Sequence, residues 1–170
     1  MTDYNRLRNY DLMSCFTLFA IATCTFQQGT PIQNSIDDLM KATTLKYKNL
    51  ESFYSLKFNI ADSSRKQEVF IRKAGNEYRS LKVNEVFGLV WESEKPATTE
   101  QLLTIFQKRF KIGGLIYELP STAQKLYRIR YAVSMPLNST PEAAAYCINV
   151  AATTGDDVEK ELNPGQEDKF

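Results

Sequence analysis

The sequence predicts an α+β fold: an antiparallel sheet of about five strands, with helices in the order α-βββ-α-ββ-α packed on one face. Three observations predict it. Residues 54–60 and 126–135 alternate apolar and polar side chains with the period of a half-buried strand. The segments that open near Thr98 and Thr140 pair a capping residue with apolar residues at helical spacing. The strand-like segments follow one another in runs, which argues against a repeated parallel βαβ unit.

The elements follow in chain order. A polar stretch over 27–35, broken by Gly29 and Pro31, leads into the first helix. Asn34 or Ser35 caps it, and Asp37 and Asp38 suit its positive end. Ile36, Leu39, Met40 and Thr43 recur at helical spacing, to about Thr44. In the first strand, Tyr54, Leu56, Phe58 and Ile60 face one way and Ser55, Lys57 and Asn59 the other. Residues 67–73 give the second strand, with Val69 and Ile71 inward, and Gly75-Asn76 marks a hairpin turn. Residues 78–91 read as a third strand or a strand pair, with Leu81, Val83, Phe87, Leu89 and Trp91 inward. A plain strand of that parity would bury Glu85, so a bulge or short break is expected near Asn84-Glu85.

Thr98 caps the middle helix and Gln101 closes its capping box. Leu102, Leu103, Ile105, Phe106 and Phe110 form its apolar face, and Gly113-Gly114 ends it. Two strands follow, over 115–120 and 126–135. In the second, Tyr127, Ile129, Tyr131, Val133 and Met135 share the inner face, with Arg128 and Arg130 opposite. Pro136 stops that strand because it has no N–H for the ladder. Ser139 or Thr140 caps the last helix, Pro141 takes its first position and Glu142 meets its positive end. Ala144, Cys147, Val150 or Ala151, Thr154 and Val158 form its stripe, Gly155 weakens it, and Leu162 and Pro164 mark its end.

Composition narrows the function. The 170 residues are 43% hydrophobic and 24% charged, with a net charge of +1, as in one ordinary globular domain. Histidine is absent, which removes Ser-His-Asp and Cys-His nucleophiles and the commonest transition-metal ligand. Cys15, Cys24 and Cys147 form no CxxC pair. The reading is a non-enzymatic protein without cofactor. Residues 57–131 carry 14 Lys or Arg against 8 Asp or Glu, whereas residues 156–170 carry 6 acids against 2 bases. Arg128 and Arg130 alternate with Tyr127 and Tyr131 across the strand, so they do not build one stacking surface for nucleic acid. Lys125, Arg128 and Arg130 are the candidate partner-binding residues, and an acidic partner would be steered to them.

Residues 12–22 are uncharged and rich in Leu, Phe, Ile and Ala. The run is too short to span a bilayer and fits the apolar region of a secretory signal. Ala20-Ile21-Ala22 supplies a cleavage pattern before Thr23. Ile21-Ala22-Thr23 before Cys24 is similar to a bacterial lipoprotein signal and makes Cys24 a candidate lipidation site, although Thr23 stands where that signal carries Gly, Ala or Ser. The expectation is a periplasmic, envelope or secreted protein, on a membrane only if Cys24 is lipidated or the segment is retained. The alternative is a retained first helix that docks an assembly subunit into a cytoplasmic or membrane-associated complex. The chain divides into 1–34 (signal-like segment and linker), 35–163 (the α+β domain) and 164–170 (acidic tail).

The segment over 36–162 resembles the YbjN-like family, which has the type III secretion chaperone-like fold. "YRSLKV" is similar to the family's central strand and "TTEQLLTIFQKRFKIGGLIYEL" to its middle helix and following strand. "YRIRYAVSMPLNSTPEAAAYCINVAATTGDDVEKEL" is similar to its last strand, turn and closing helix. The resemblance implies a non-enzymatic, often dimeric, protein-binding or regulatory module whose partner is another protein or a second copy. It transfers no site residue.

Overall fold

A computed structural model describes residues 35–61, 64–78 and 80–165. The chain runs α1 (Ile36–Ala42), β1 (Lys48–Asn49), β2 (Phe53–Asn59), β3 (Lys66–Arg72), β4 (Asn76–Tyr78), β5 (Leu81–Ser93), α2 (Thr99–Phe106), β6 (Gly114–Glu118), β7 (Tyr127–Pro136) and α3 (Pro141–Leu162). The class is α+β, with the helices on one side of an antiparallel sheet. Seven strands form it rather than five, in the order β1-β2-β3-β5-β7-β6, with β4 paired to β5. The two extra strands are the short β1 and β4, which carry too few residues to show a period.

The helix caps are those the residue types dictate. Ser35 Oγ accepts from Asp38 N at 3.2 Å, and Thr140 accepts from Ala143 N at 3.2 Å behind Pro141. Thr98 and Gln101 close a reciprocal capping box at 3.2 and 2.9 Å. The core lies between the sheet and α3. Leu56, Val69, Ile71, Val86, Val90, Ile129, Tyr131, Val133 and Met135 meet Ala144, Ile148, Ala151, Ala152 and Val158 there.

Three expectations need correction. The inner face of β5 is Asn84, Val86, Gly88 and Val90, and of the expected odd-numbered set only Trp91 is buried. Val83, Phe87 and Leu89 lie on the opposite face, and Leu81 is exposed. Hydrophobicity misled here because both faces are apolar and the inner one holds its two smallest or most polar members for packing reasons. A Cβ on Gly88 would meet Gln67 Nε2 at 3.1 Å, tighter than an ordinary contact, and the Ala151 carbonyl at 3.6 Å, so glycine here gives the buried Gln67 amide its room. Asn84 Nδ2 donates to the carbonyls of Arg72 and Lys73 at 3.0 and 3.2 Å, closing the end of β3.

The bulge is also elsewhere. Leu89 opposes Arg130 and Trp91 opposes Ile129, so Val90 is the inserted residue. It lets Val90 and Trp91 both enter the core and sends Glu92 to the outer face. Glu85 needs no break because it already faces outward, where it pairs with two arginines.

The third correction concerns α2, which stops at Phe106 instead of continuing toward Gly113. Residues 107–113 leave the helix so that the Phe110 ring packs 5.1 Å from Tyr131, whose phenol donates to the Ile112 carbonyl. Of the expected apolar face only Ile105 is fully buried. Leu102 and Phe110 are half-buried, while Leu103 and Phe106 are 54% and 50% exposed. Gly113 has φ +77°, and a Cβ there would lie 2.4 Å from the Ala132 carbonyl, which fixes the turn into β6.

Candidate functional site

Helices cover one face of the sheet and leave the other uncovered by any described helix. The side chains of that open face follow from the register. Ser55 pairs with Phe70, Phe70 with Phe87, Phe87 with Ala132, and Arg130 with both Leu89 and Ile116. Phe53, Phe70 and Phe87 form one aromatic patch: Phe70 stacks on Phe87 at 5.6 Å, and Phe53 meets both edge-on at 6.3 and 5.9 Å. The Arg72 guanidinium lies 5.2 Å from the Phe53 ring centre and that of Arg130 lies 4.8 Å from the Phe87 ring centre.

An ion ladder crosses the same face. Glu85 accepts from Arg72 Nε at 3.2 Å and pairs by charge with Arg130 Nη1 at 2.7 Å; Arg130 Nε also lies 2.9 Å from Glu118. Arg128 pairs with Glu92 at 3.1 Å. The two expected arginines therefore lie opposite the last helix, on adjacent positions of β7, but each is neutralised by carboxylates from neighbouring strands. Arg130 is the most covered of them, at 12% side-chain exposure. Lys125 belongs to the loop before β7 and is exposed, so it does not continue the strand's charge pattern. Cys24 lies outside the described residues.

Sequence reasoning missed the partners of these arginines. Glu85 and Glu92 come from β5 and Glu118 from β6, and the parity error on β5 placed Glu85 on the wrong side. Of the open-face phenylalanines, Phe87 falls under the same parity error, Phe53 precedes the expected first strand, and Phe70 lies opposite the inward Val69 and Ile71 as their alternation implies. The signal that could have found them is the strict alternation of 85, 87 and 89 with 84, 86 and 88, read for what each face lacks rather than for which is more apolar.

A second polar cluster is internal. Arg65 reaches Asp156 at 2.6 Å and Glu159 at 3.2 Å, with both carboxylates essentially buried, and Lys160 reaches Asp156 at 2.5 Å. It ties α3 to the start of β3. Cys147 is half-buried and burial pushes its thiol pKa up, which holds it as the unreactive thiol. Among the described residues no helix is long and apolar enough to cross a membrane, and no group of three or more His, Cys, Asp or Glu side chains is gathered as for a metal ion.

No protein-family model matches the chain, no curated protein matches it, and no solved structure matches its fold.

Proposed function

We propose that the chain is a non-enzymatic protein-binding module, and that its open sheet face docks a second copy of the same chain. The observation that carries this is the Phe53–Phe70–Phe87 patch stacked by Arg72 and Arg130 on a face no described helix covers. Aromatic side chains and arginine are the residues that concentrate binding energy at interface centres.

Charge and area favour a second copy as occupant. The ladder sets Arg72, Arg128 and Arg130 against Glu85, Glu92 and Glu118, so the central face is neutral and alternating. That pattern does not select an acidic partner, and a second copy carries the same alternation to set against it. Five strands about 4.8 Å apart and seven or so residues long make a face of roughly 600 Å². Two such faces in contact bury about 1,200 Å² or more, the lower end of specific interfaces. The YbjN-like resemblance of the sequence points to the same kind of dimeric module.

Sedimentation of the full chain tests the reading. The parent is expected at twice 19.4 kDa and a Phe70→Asp variant at the monomer mass with an unchanged circular dichroism spectrum. A parent that stays at 19.4 kDa at about 100 μM, well above the micromolar range of weak specific complexes, overturns it. Binding of an acidic protein that Phe70→Asp abolishes, without a dimer, would replace the second copy with that partner.

Export is part of the same proposal. It predicts an intact mass lacking residues 1–22, or a lipid at Cys24, in natively produced protein. A full-length mass instead favours an assembly subunit docked through its amino-terminal segment.

A further inference from the structure

Away from the open face, the 107–113 loop, β7 and α3 line an open surface pocket of about 270 Å³. Phe110, Ile112 and Val150 give it an apolar floor. Tyr146, Val150 and Thr154 recur every fourth residue along α3 and form one wall. The opposite side is the loop carrying Arg109 and Lys111.

Arg109 and Lys111 give this pocket its charge. Arg65, Arg72, Lys108, Arg128, Arg130 and Lys160 each have a carboxylate partner. Among the described residues Arg109 and Lys111 have none, and no carboxylate lines the cavity. Two cations without a carboxylate partner therefore border an aromatic hollow that also offers the hydroxyl of Tyr146.

The loop is held in place before any ligand arrives. The Tyr131 phenol donates to the Ile112 carbonyl, Phe110 packs on the Tyr131 ring, and the Gly113 backbone allows no other residue at the turn. A preformed site loses less on binding than one that must order its loop.

We propose that this pocket binds a small aromatic carboxylate, with the carboxylate on Arg109 and Lys111 and the ring against Phe110 and Tyr146. The planar guanidinium matches a carboxylate's two oxygens. The pocket, of about 270 Å³, has room for a ligand as small as benzoate. The tyrosine faces add contact area for a ring at little cost in side-chain entropy.

Titration of the full chain at low salt, by calorimetry and by amide chemical shifts, tests this with three probes: benzoate, benzyl alcohol and inorganic phosphate. Benzoate is expected to bind saturably and to shift the amides of Lys111, Tyr146 and Val150. Benzyl alcohol, and benzoate with the Arg109→Ala/Lys111→Ala variant, are expected to bind at least about tenfold more weakly, the loss of one charge-assisted contact. Both substituted residues are exposed, so the variant is expected to keep the parent's circular dichroism spectrum. Three results overturn the proposal: no saturable benzoate shift, equal binding of benzyl alcohol, or inorganic phosphate that binds as tightly as benzoate. The last would leave a plain anion site with no use for the aromatic floor.

Discussion

At the residue scale, two side chains on paired elements of the same core have opposite fates. Ile129 is fully buried, whereas Phe106, in the last turn of α2, is half exposed. Ile129→Ala is expected to cost about 2–5 kcal/mol, and Phe106→Ala to stay within about 0.5 kcal/mol, by urea unfolding. An equal loss at both positions would place α2 with its other face inward. Arg65 is the partner of two buried carboxylates. Arg65→Met leaves Asp156 and Glu159 close together without it and is expected to cost about 3 kcal/mol or more. The tyrosines give a pH signature. Burial first, then the hydrogen bond to Asp37, holds the Tyr54 phenol above its ordinary range, and burial raises Tyr131. The folded state thus favours the neutral phenol. The associated stability is complete below about pH 10, the unfolded tyrosine value, and is lost as pH rises beyond it. The urea midpoint should fall above that pH, and Tyr54→Phe should reduce the fall; an identical pH profile in the variant would remove Tyr54 from the cause.

At the element scale, two glycines on the packed side of the fold separate close approach from simple weakness. A Cβ on Gly155, within α3, would sit at ordinary contact distance, 3.6 Å from Gln67 Cδ and 3.7 Å from Val90 Cγ1. Gly155→Ala is therefore expected to stabilise by about 0.5–1 kcal/mol, the usual helix gain of alanine over glycine. Gly88→Ala meets the buried Gln67 amide at 3.1 Å and is expected to destabilise. A loss of stability at both would mean that α3 packs more tightly on the sheet than these distances allow.

The helix starts, β2, β3 and β7 were legible in the sequence because capping residues and strict alternation act locally. The end of α2 was not, because Phe110 leaves the helix for a contact with Tyr131 on β7. Nor was the inner face of β5. Its two faces are both apolar, and Gly88 and Asn84 belong inside for reasons supplied by Gln67, α3 and the end of β3. The same long-range pairing hid the candidate site: Arg128 and Arg130 were visible as an outward pair, but their carboxylates arrive from β5 and β6.

At the scale of the whole molecule, the sheet divides the protein into a packed side and an open side. The packed side uses α3 to bury most of the core. The open side substitutes arginine–phenylalanine stacking and a neutral ion ladder for a second layer. Domains usually close such a face with another layer, and we propose a second copy in that place. The ladder's half-exposed pairs, such as Arg128 with Glu92, add little to stability alone. In the proposed dimer they would fix the register of approach, and high salt should then weaken self-association more than folding. The most direct measurement is an isotope-filtered nuclear Overhauser experiment on a mixture of labelled and unlabelled full chains. The account predicts cross-peaks between copies from the rings of Phe53, Phe70 and Phe87. Cross-peaks between copies confined to α2, α3 or the β1 edge, or none under conditions where the chain sediments as a dimer, would contradict it.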